Sequence, residues 1–202
     1  MKNILVLGSA VAPYHPLENL EQLTNFLSEY KFVFTKDSDS LLEMRDFDML
    51  ICYADAWKQP LSAAQSAAFK AYLSGGGKIL SIHNGVSIQD TPELAEVTGA
   101  RFTHHPEYCE LLIQPIKNHP VTDSVQDFSI MDEPYHYEVY GDIDVLATYD
   151  FNGTIIPAVW ERSYGKGILL YLMPGHNKSA FQCEPYRKLI KNSVNYLLDK
   201  MD

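Results

Sequence analysis

Four short apolar runs early in the chain, Asn3–Gly8, Lys31–Thr35, residues 48–53 and Lys78–Ile82, alternate with longer stretches of helical spacing. That alternation leaves few folds open. The first run is apolar almost throughout, the pattern of a strand covered on both faces. Between the runs, residues 17–30 put Leu20, Leu23, Phe26 and Leu27 at helical spacing, residues 38–45 read as a short helix, and residues 62–73 as an Ala-rich helix capped by Ser62. Gly75, Gly76 and Gly77 close that helix, because glycine tolerates the left-handed conformation that ends helices. Strands returned by right-handed crossovers build a parallel sheet covered on both sides. The expected fold is a doubly wound α/β protein, a three-layer α/β/α sandwich around a mainly parallel sheet.

From Arg101 onward the pattern changes. Residues 108–115, 128–131, 135–140, 145–149 and 155–161 read as strands with turn residues between them, which predicts additional antiparallel pairing in the second half. Asn152-Gly153 between Phe151 and Thr154 is a hairpin signal. The chain then returns to a buried strand at residues 167–173 and, past Pro174-Gly175-His176, to a helix over 184–200. With no repeat, linker or low-complexity segment, residues 1–202 are expected to form one domain. A chain of that length buries about 70% of the surface its unfolded form exposes.

Charge and cysteine usage exclude several function classes. A net charge of −10 without a basic stripe argues against a nucleic-acid partner, which needs clustered Lys and Arg. Every apolar run falls short of the ~20 residues that cross a bilayer. The opening MKNILVLGSA reads as a buried strand and not as a leader. Cys52, Cys109 and Cys183 are odd in number and widely spaced, which suits free thiols in a reducing, cytoplasmic setting, with Cys52 as core.

The candidate chemistry lies where such sheets bind ligands, beyond the carboxyl ends of the strands. His15, His83 and His176 each follow a predicted parallel strand at that edge. Three imidazoles at one mouth suit metal ligation or proton transfer. Asp132-Glu133-Pro134-Tyr135 supplies adjacent carboxylates and an aromatic, and a carboxylate can ligate a metal or fix a histidine tautomer. His119, before Pro120, and the pair His104-His105 add imidazoles that read equally as loop residues. Tyr14 and Trp57 could floor a sugar site or simply pack. Ser81-Ile82-His83-Asn84-Gly85 has the frame of a nucleophile elbow with histidine in the nucleophile's place, which would display His83 and not bury it.

Gly75-Gly76-Gly77-Lys78 leading to Ile82-His83, then His119-Pro120-Val121-Thr122, Asp132-Glu133-Pro134-Tyr135, Pro157-Ala158-Val159-Trp160, Tyr164-Gly165-Lys166-Gly167 and Pro174-Gly175-His176 together resemble the ThuA-like (trehalose utilisation) family. The resemblance covers nearly the whole chain. It implies a class I glutamine amidotransferase-like, flavodoxin-like fold. Where amidotransferases of that superfamily carry Cys, His and Glu, this chain has His83, His176 and Lys178, so a glutaminase cannot be assembled from these positions. The resemblance further implies carbohydrate metabolism, on trehalose or a related disaccharide and on 3-keto sugars derived from it.

The first expectation is therefore a sugar isomerase, lyase or hydrolase. His83, His176, Asp132 and Glu133 would be its catalytic centre, with His15, Tyr14, Trp57, Tyr135 and His119 lining a sugar ligand. A divalent metal such as zinc would sit on His83, His176 and Glu133. The second is a non-catalytic domain that binds a small molecule or a partner subunit on the same scaffold. The aromatic-rich segment with Tyr135, Tyr137, Tyr140, Tyr149 and Phe151 could form a pocket wall or the face of a homo-oligomer.

Overall fold

The computed structural model describes residues 1–10, 14–88 and 92–199. The sheet runs through strands β1 (Asn3–Gly8), β2 (Lys31–Thr35), β3 (Met49–Tyr53), β4 (Lys78–Ile82), β5 (Ala100–His104), β6 (Cys109–Pro115), β7 (Phe128–Asp132), β8 (His136–Val139), β9 (Asp144–Phe151), β10 (Thr154–Tyr164) and β11 (Gly167–Leu172). The helices are α1 (Leu23–Phe26), α2 (Ala63–Ser74), α3 (Pro92–Thr98) and α4 (Glu184–Asp199). The predicted last helix included Lys200, which lies outside the described residues.

Nine strands form one sheet in the order β2-β1-β3-β4-β11-β10-β9-β6-β7, with β5 and β8 as a separate antiparallel pair. The first five positions are parallel throughout, and their order is the doubly wound 2-1-3-4-5 with β11 in fifth place. Every residue of β3 and β4 is buried. Since successive side chains of a strand point to opposite faces, both faces of this half are covered. From β11 on, each neighbour is antiparallel. The sheet is thus mixed, half parallel and half antiparallel, and the expectation of a mainly parallel sheet is corrected. The reason is topological: β11, β10 and β9 follow one another through tight turns, which can only reverse the strand. One is the turn at Asn152-Gly153, where φ of 53° and 81° meets the two-residue hairpin geometry expected there.

Two predicted helices take another form. Residues 17–30 give a 3-10 helix, Leu17–Gln22, and the single turn of α1, ended at Leu27 by φ −127° and ψ 40°. No side chain caps either segment, and Pro16 before the first offers no capping group. Burial of Leu17, Leu20, Leu23 and Leu27 holds the stretch down in place of regular hydrogen bonding. Ser38–Asp46 is likewise 3-10, kinked at Glu43. By contrast α2 has a full capping box between Ser62 and Gln65. Its terminal glycine run takes the left-handed conformation at Gly76, with φ 117°.

The β6–β7 ribbon decides where the site forms. Its register to β9 covers only Gln114 and Pro115, at one end. The other end, where Cys109 pairs with Asp132, reaches back over the parallel half. Asp132 there accepts hydrogen bonds from backbone just beyond β11. Tyr135 and Tyr149 of the aromatic-rich segment are buried, and Tyr137, Tyr140 and Phe151 are partly so. No helix among the described residues is long and apolar enough to cross a membrane.

Candidate active site

His83 follows β4 with φ 48°, a left-handed conformation that a non-glycine residue holds only under constraint from its surroundings. This is the sharp strand-to-helix turn that the elbow frame called for. A Cβ on Gly85 would lie 2.2 Å from the Cys52 carbonyl oxygen, so the turn closes only with glycine there. The expectation of a displayed imidazole is corrected: His83 is 0% exposed. Tyr135 covers its ring at 4.2 Å between centroids, and His15 and His176 close over it at 4.9 and 5.7 Å. His83 is the floor of the site.

The loop after β11 is pinned group by group. The Gly175 carbonyl accepts from the Tyr53 hydroxyl at 2.5 Å, and that of Pro174 from Tyr186. The amides of Gly175 and His176 donate to the Asp132 carboxylate at 2.8 and 3.3 Å, and Asp132 also accepts from the Glu133 amide at 2.9 Å. Asp132 is wholly buried. Burial pushes its carboxyl above the ordinary range, while His83 and the three backbone donors pull it back. It places His176 and Glu133 without itself entering the group of ligand atoms.

Those atoms belong to His15, His83, Glu133 and His176, and all four lie within 4.8 Å of one another. His15 Nε2 is 3.2 Å from His176 Nδ1, which is 3.1 Å from Glu133 Oε2, which is 3.4 Å from His83 Nε2. His83 Nδ1 donates to the Met173 carbonyl at 2.7 Å, so Nε2 turns its lone pair into the cluster. That nitrogen is buried with no hydrogen-bond partner. A bare imidazole nitrogen facing a carboxylate oxygen, two acceptors together, calls for a cation between them. Ligand atoms around a tetrahedral zinc with bonds of about 2.1 Å stand about 3.4 Å apart, and three imidazoles with one carboxylate is a donor set zinc accepts. The residues fit such an ion.

The electrostatics divide the labour. Burial and the neighbouring His83 and His176 hold His15 down to about 3, so its ring stays neutral. Glu133 is lifted by burial, but its hydrogen bond with His176 outweighs this and keeps it well below the usual carboxylate range. The Glu133 bond in turn raises His176, against its desolvation. Between about 6.5 and about 3 the unfolded chain therefore binds a proton at His15 that the folded chain refuses, so stability falls as pH drops through that window. With a chelator present, His15→Gln is expected to lose less stability than wild type between pH 7 and about 4.5, by on the order of 2 kcal/mol in urea unfolding. Equal losses would mean that His15 is protonated in the fold.

The other sequence candidates divide. Tyr135 forms a wall of the site. His105 reaches its rim, with Nδ1 3.7 Å from Glu133 Oε1, while His104 stacks on His136 instead. His119 goes elsewhere: it caps Pro120–Thr122 and faces Glu161 at 3.6 Å and the Tyr196 ring. Its place before proline makes it a cap, and it lies outside the group formed by His15, His83, Glu133 and His176. Tyr14 and Trp57 are 61% and 72% exposed, so neither is part of the core. Tyr108 was not singled out; its ring lies 5.5 Å from His176 and its hydroxyl accepts from Asn177. Only an aromatic just ahead of a strand hinted at it. Cys52 is buried and its thiol pushed up to about 12, so it is no nucleophile, and Lys178 is exposed.

Residues 3–197 match the family described as ThuA, trehalose utilisation. No curated protein matches the sequence. Among solved structures, a protein described as ThuA-like from Bacteroides uniformis ATCC 8492 aligns with a TM-score of 0.82 at 19% identity, over 98% of this chain and 92% of that one. Another described as ThuA-like, from Parabacteroides merdae ATCC 43184, gives 0.82 at 18% identity over 99% of this chain and 90% of that one. A cold-adapted β-galactosidase from Rahnella sp. R3 gives 0.71 at 14%, over 98% of this chain but 31% of its own. At these identities the likeness is one of fold.

Proposed function

We propose, for a chain that belongs to the ThuA (trehalose utilisation) family, a role in the use of trehalose or a related disaccharide, with its reaction centre at His15, His83, Glu133 and His176. The substrate we assign is the 3-keto form of the sugar, and the reaction an isomerisation or elimination by acid and base. The observation that carries this is the convergence of three imidazoles and one carboxylate within 4.8 Å, at the edge where such sheets bind ligands. A ketone one carbon from the glycosidic carbon acidifies the C–H bond between them. Glu133, held ionised, takes that proton. The electron pair left behind forms a double bond to the glycosidic carbon as that carbon's bond to oxygen breaks, and His176, whose charged form Glu133 favours, protonates the departing oxygen. Asp132 keeps the two in register through its backbone bonds, and the burial of His83 and Glu133 excludes water from the reacting carbon. Held instead by His15, His83 and Glu133, with one position left open, a divalent cation would supply Lewis-acid polarisation of the ketone, and a residue that ligates it would not act as acid or base.

Incubating the protein with trehalose and with its 3-keto form, and following both by NMR, tests the reading. Consumption of the oxidised sugar alone is expected, with about one zinc per chain by elemental analysis. If neither sugar is consumed, the proposed reaction is wrong. The second reading, a binding domain without chemistry, is supported by His83 and Lys178 standing where an amidotransferase has its nucleophile and carboxylate. It predicts an oxidised sugar that binds and is released unchanged.

A further inference from the structure

The four residues His105-Pro106-Glu107-Tyr108 join β5 to β6 and meet the reaction centre at both ends. At one end His105 Nδ1 lies 3.7 Å from Glu133 Oε1, the oxygen that Glu133 does not turn toward His83 and His176. At the other the Tyr108 ring lies 5.5 Å from the ring of His176. The segment is therefore part of the rim of the centre, beside the carboxylate and the imidazole to which the reaction is assigned. Neither the elimination of the C–H proton nor the protonation of the departing oxygen uses Tyr108.

Tyr108 is held in place and yet open. Asn177 Oδ1 accepts from the backbone amide and the hydroxyl of Ser179, which fixes the side-chain amide so that its Nδ2 donates to the Tyr108 hydroxyl at 2.9 Å. At the backbone the next residue, Cys109, pairs with Asp132, the carboxylate that also fixes Gly175 and His176. A ring tied at both ends has little freedom left to lose when a ligand settles against it. It remains 37% exposed, so packing into the core does not account for its place. The face of an aromatic ring carries partial negative charge and attracts the weakly polarised C–H bonds that line one face of a pyranose. The hydroxyl accepts the Asn177 bond and keeps its own proton for a sugar hydroxyl.

We infer that Tyr108 is the platform on which the departing sugar unit of the disaccharide stacks; the inference rests on the reading of the histidine centre given above. His176 protonates the glycosidic oxygen, so the ring that leaves with that oxygen lies on the His176 side, where Tyr108 stands. Two substrates with the same reacting ring and different leaving groups separate this role from a structural one. The 3-keto form of trehalose releases a sugar, and the 3-keto form of methyl α-glucoside releases methanol. Tyr108→Ala is expected to raise KM for the first about tenfold with kcat within about twofold, and to leave both constants for the second within about twofold. Tyr108→Phe keeps the ring and loses only the hydroxyl, so it should stay within about threefold of wild type on both. Equal losses on the two substrates, or no loss on either, refute the platform while the centre stands. Calorimetric titration with unoxidised trehalose reads binding without turnover, and wild type should bind it about tenfold more tightly than Tyr108→Ala. Equal affinities there also refute the platform. If wild type consumes neither oxidised sugar, the reading of the centre falls and takes the platform with it.

Discussion

His176→Ala is expected to lower kcat for 3-keto-trehalose by roughly 10²–10⁴-fold, the usual worth of a positioned acid or base. The side chain is half-buried and its hydrogen bonds run only into the cluster, to Glu133 at 3.1 Å and His15 at 3.2 Å. The loop that carries it is fixed through its backbone by Asp132, Tyr53 and Tyr186, none of which the substitution touches. The fold should therefore survive, as near-UV circular dichroism and thermal unfolding would show. Glu133 would lose the partner that most lowers its proton affinity, so the residual activity should shift its acid limb upward in pH. A folded His176→Ala protein with wild-type kcat would remove this residue from the chemistry.

The second large effect is on stability. Asp132→Asn keeps the shape of a side chain that is 0% exposed but replaces one of two acceptor oxygens by an NH2 group. The carboxylate serves three backbone amides, those of Glu133, Gly175 and His176. At least one amide would face another donor in a site closed to water. Such a loss costs about 2–4 kcal/mol, since a buried donor facing no acceptor forfeits its solvation. Against this stands relief of a buried charge, whose burden is visible in the upward shift of Asp132. The NH2 group meets a backbone donor that it cannot accept from, and this mismatch costs more than the relief returns, so urea unfolding should show a net decrease, with turnover falling as His176 leaves its place. An Asn variant as stable and as active as wild type would mean that the carboxyl is neutral and that one oxygen suffices.

Much of the parallel half was legible because strands buried on both faces leave uninterrupted apolar runs, as in β3 and β4. The three edge histidines followed from those strand ends. What pattern reading missed depends on long-range geometry. Antiparallel strands in the second half were expected; that they continue the parallel half as one sheet was not, because it rests on β11 pairing with β4 and on the register that joins Gln114 and Pro115 to Thr148 and Ala147. The division of roles between Asp132 and Glu133 is equally non-local, since adjacent residues of a strand end point opposite ways. Asp132 turns inward to backbone; Glu133 turns to imidazoles. His83 was misjudged because an elbow predicts the backbone turn but not what will be laid over it, and here Tyr135 and His15 cover it. The irregular helices at residues 17–30 were hidden by correct apolar spacing without caps.

The histidines of the centre are carried by the parallel half of the sheet and the glutamate by the far end of a ribbon held to β9 at its other end. Any molecule or ion that engages both kinds of ligand acts as a staple across this seam. Occupancy then adds to resistance against unfolding in proportion to the logarithm of ligand excess over its dissociation constant. The melting temperature becomes a direct meter of occupancy, so sugars and cations can be screened by heat alone, before any product is known.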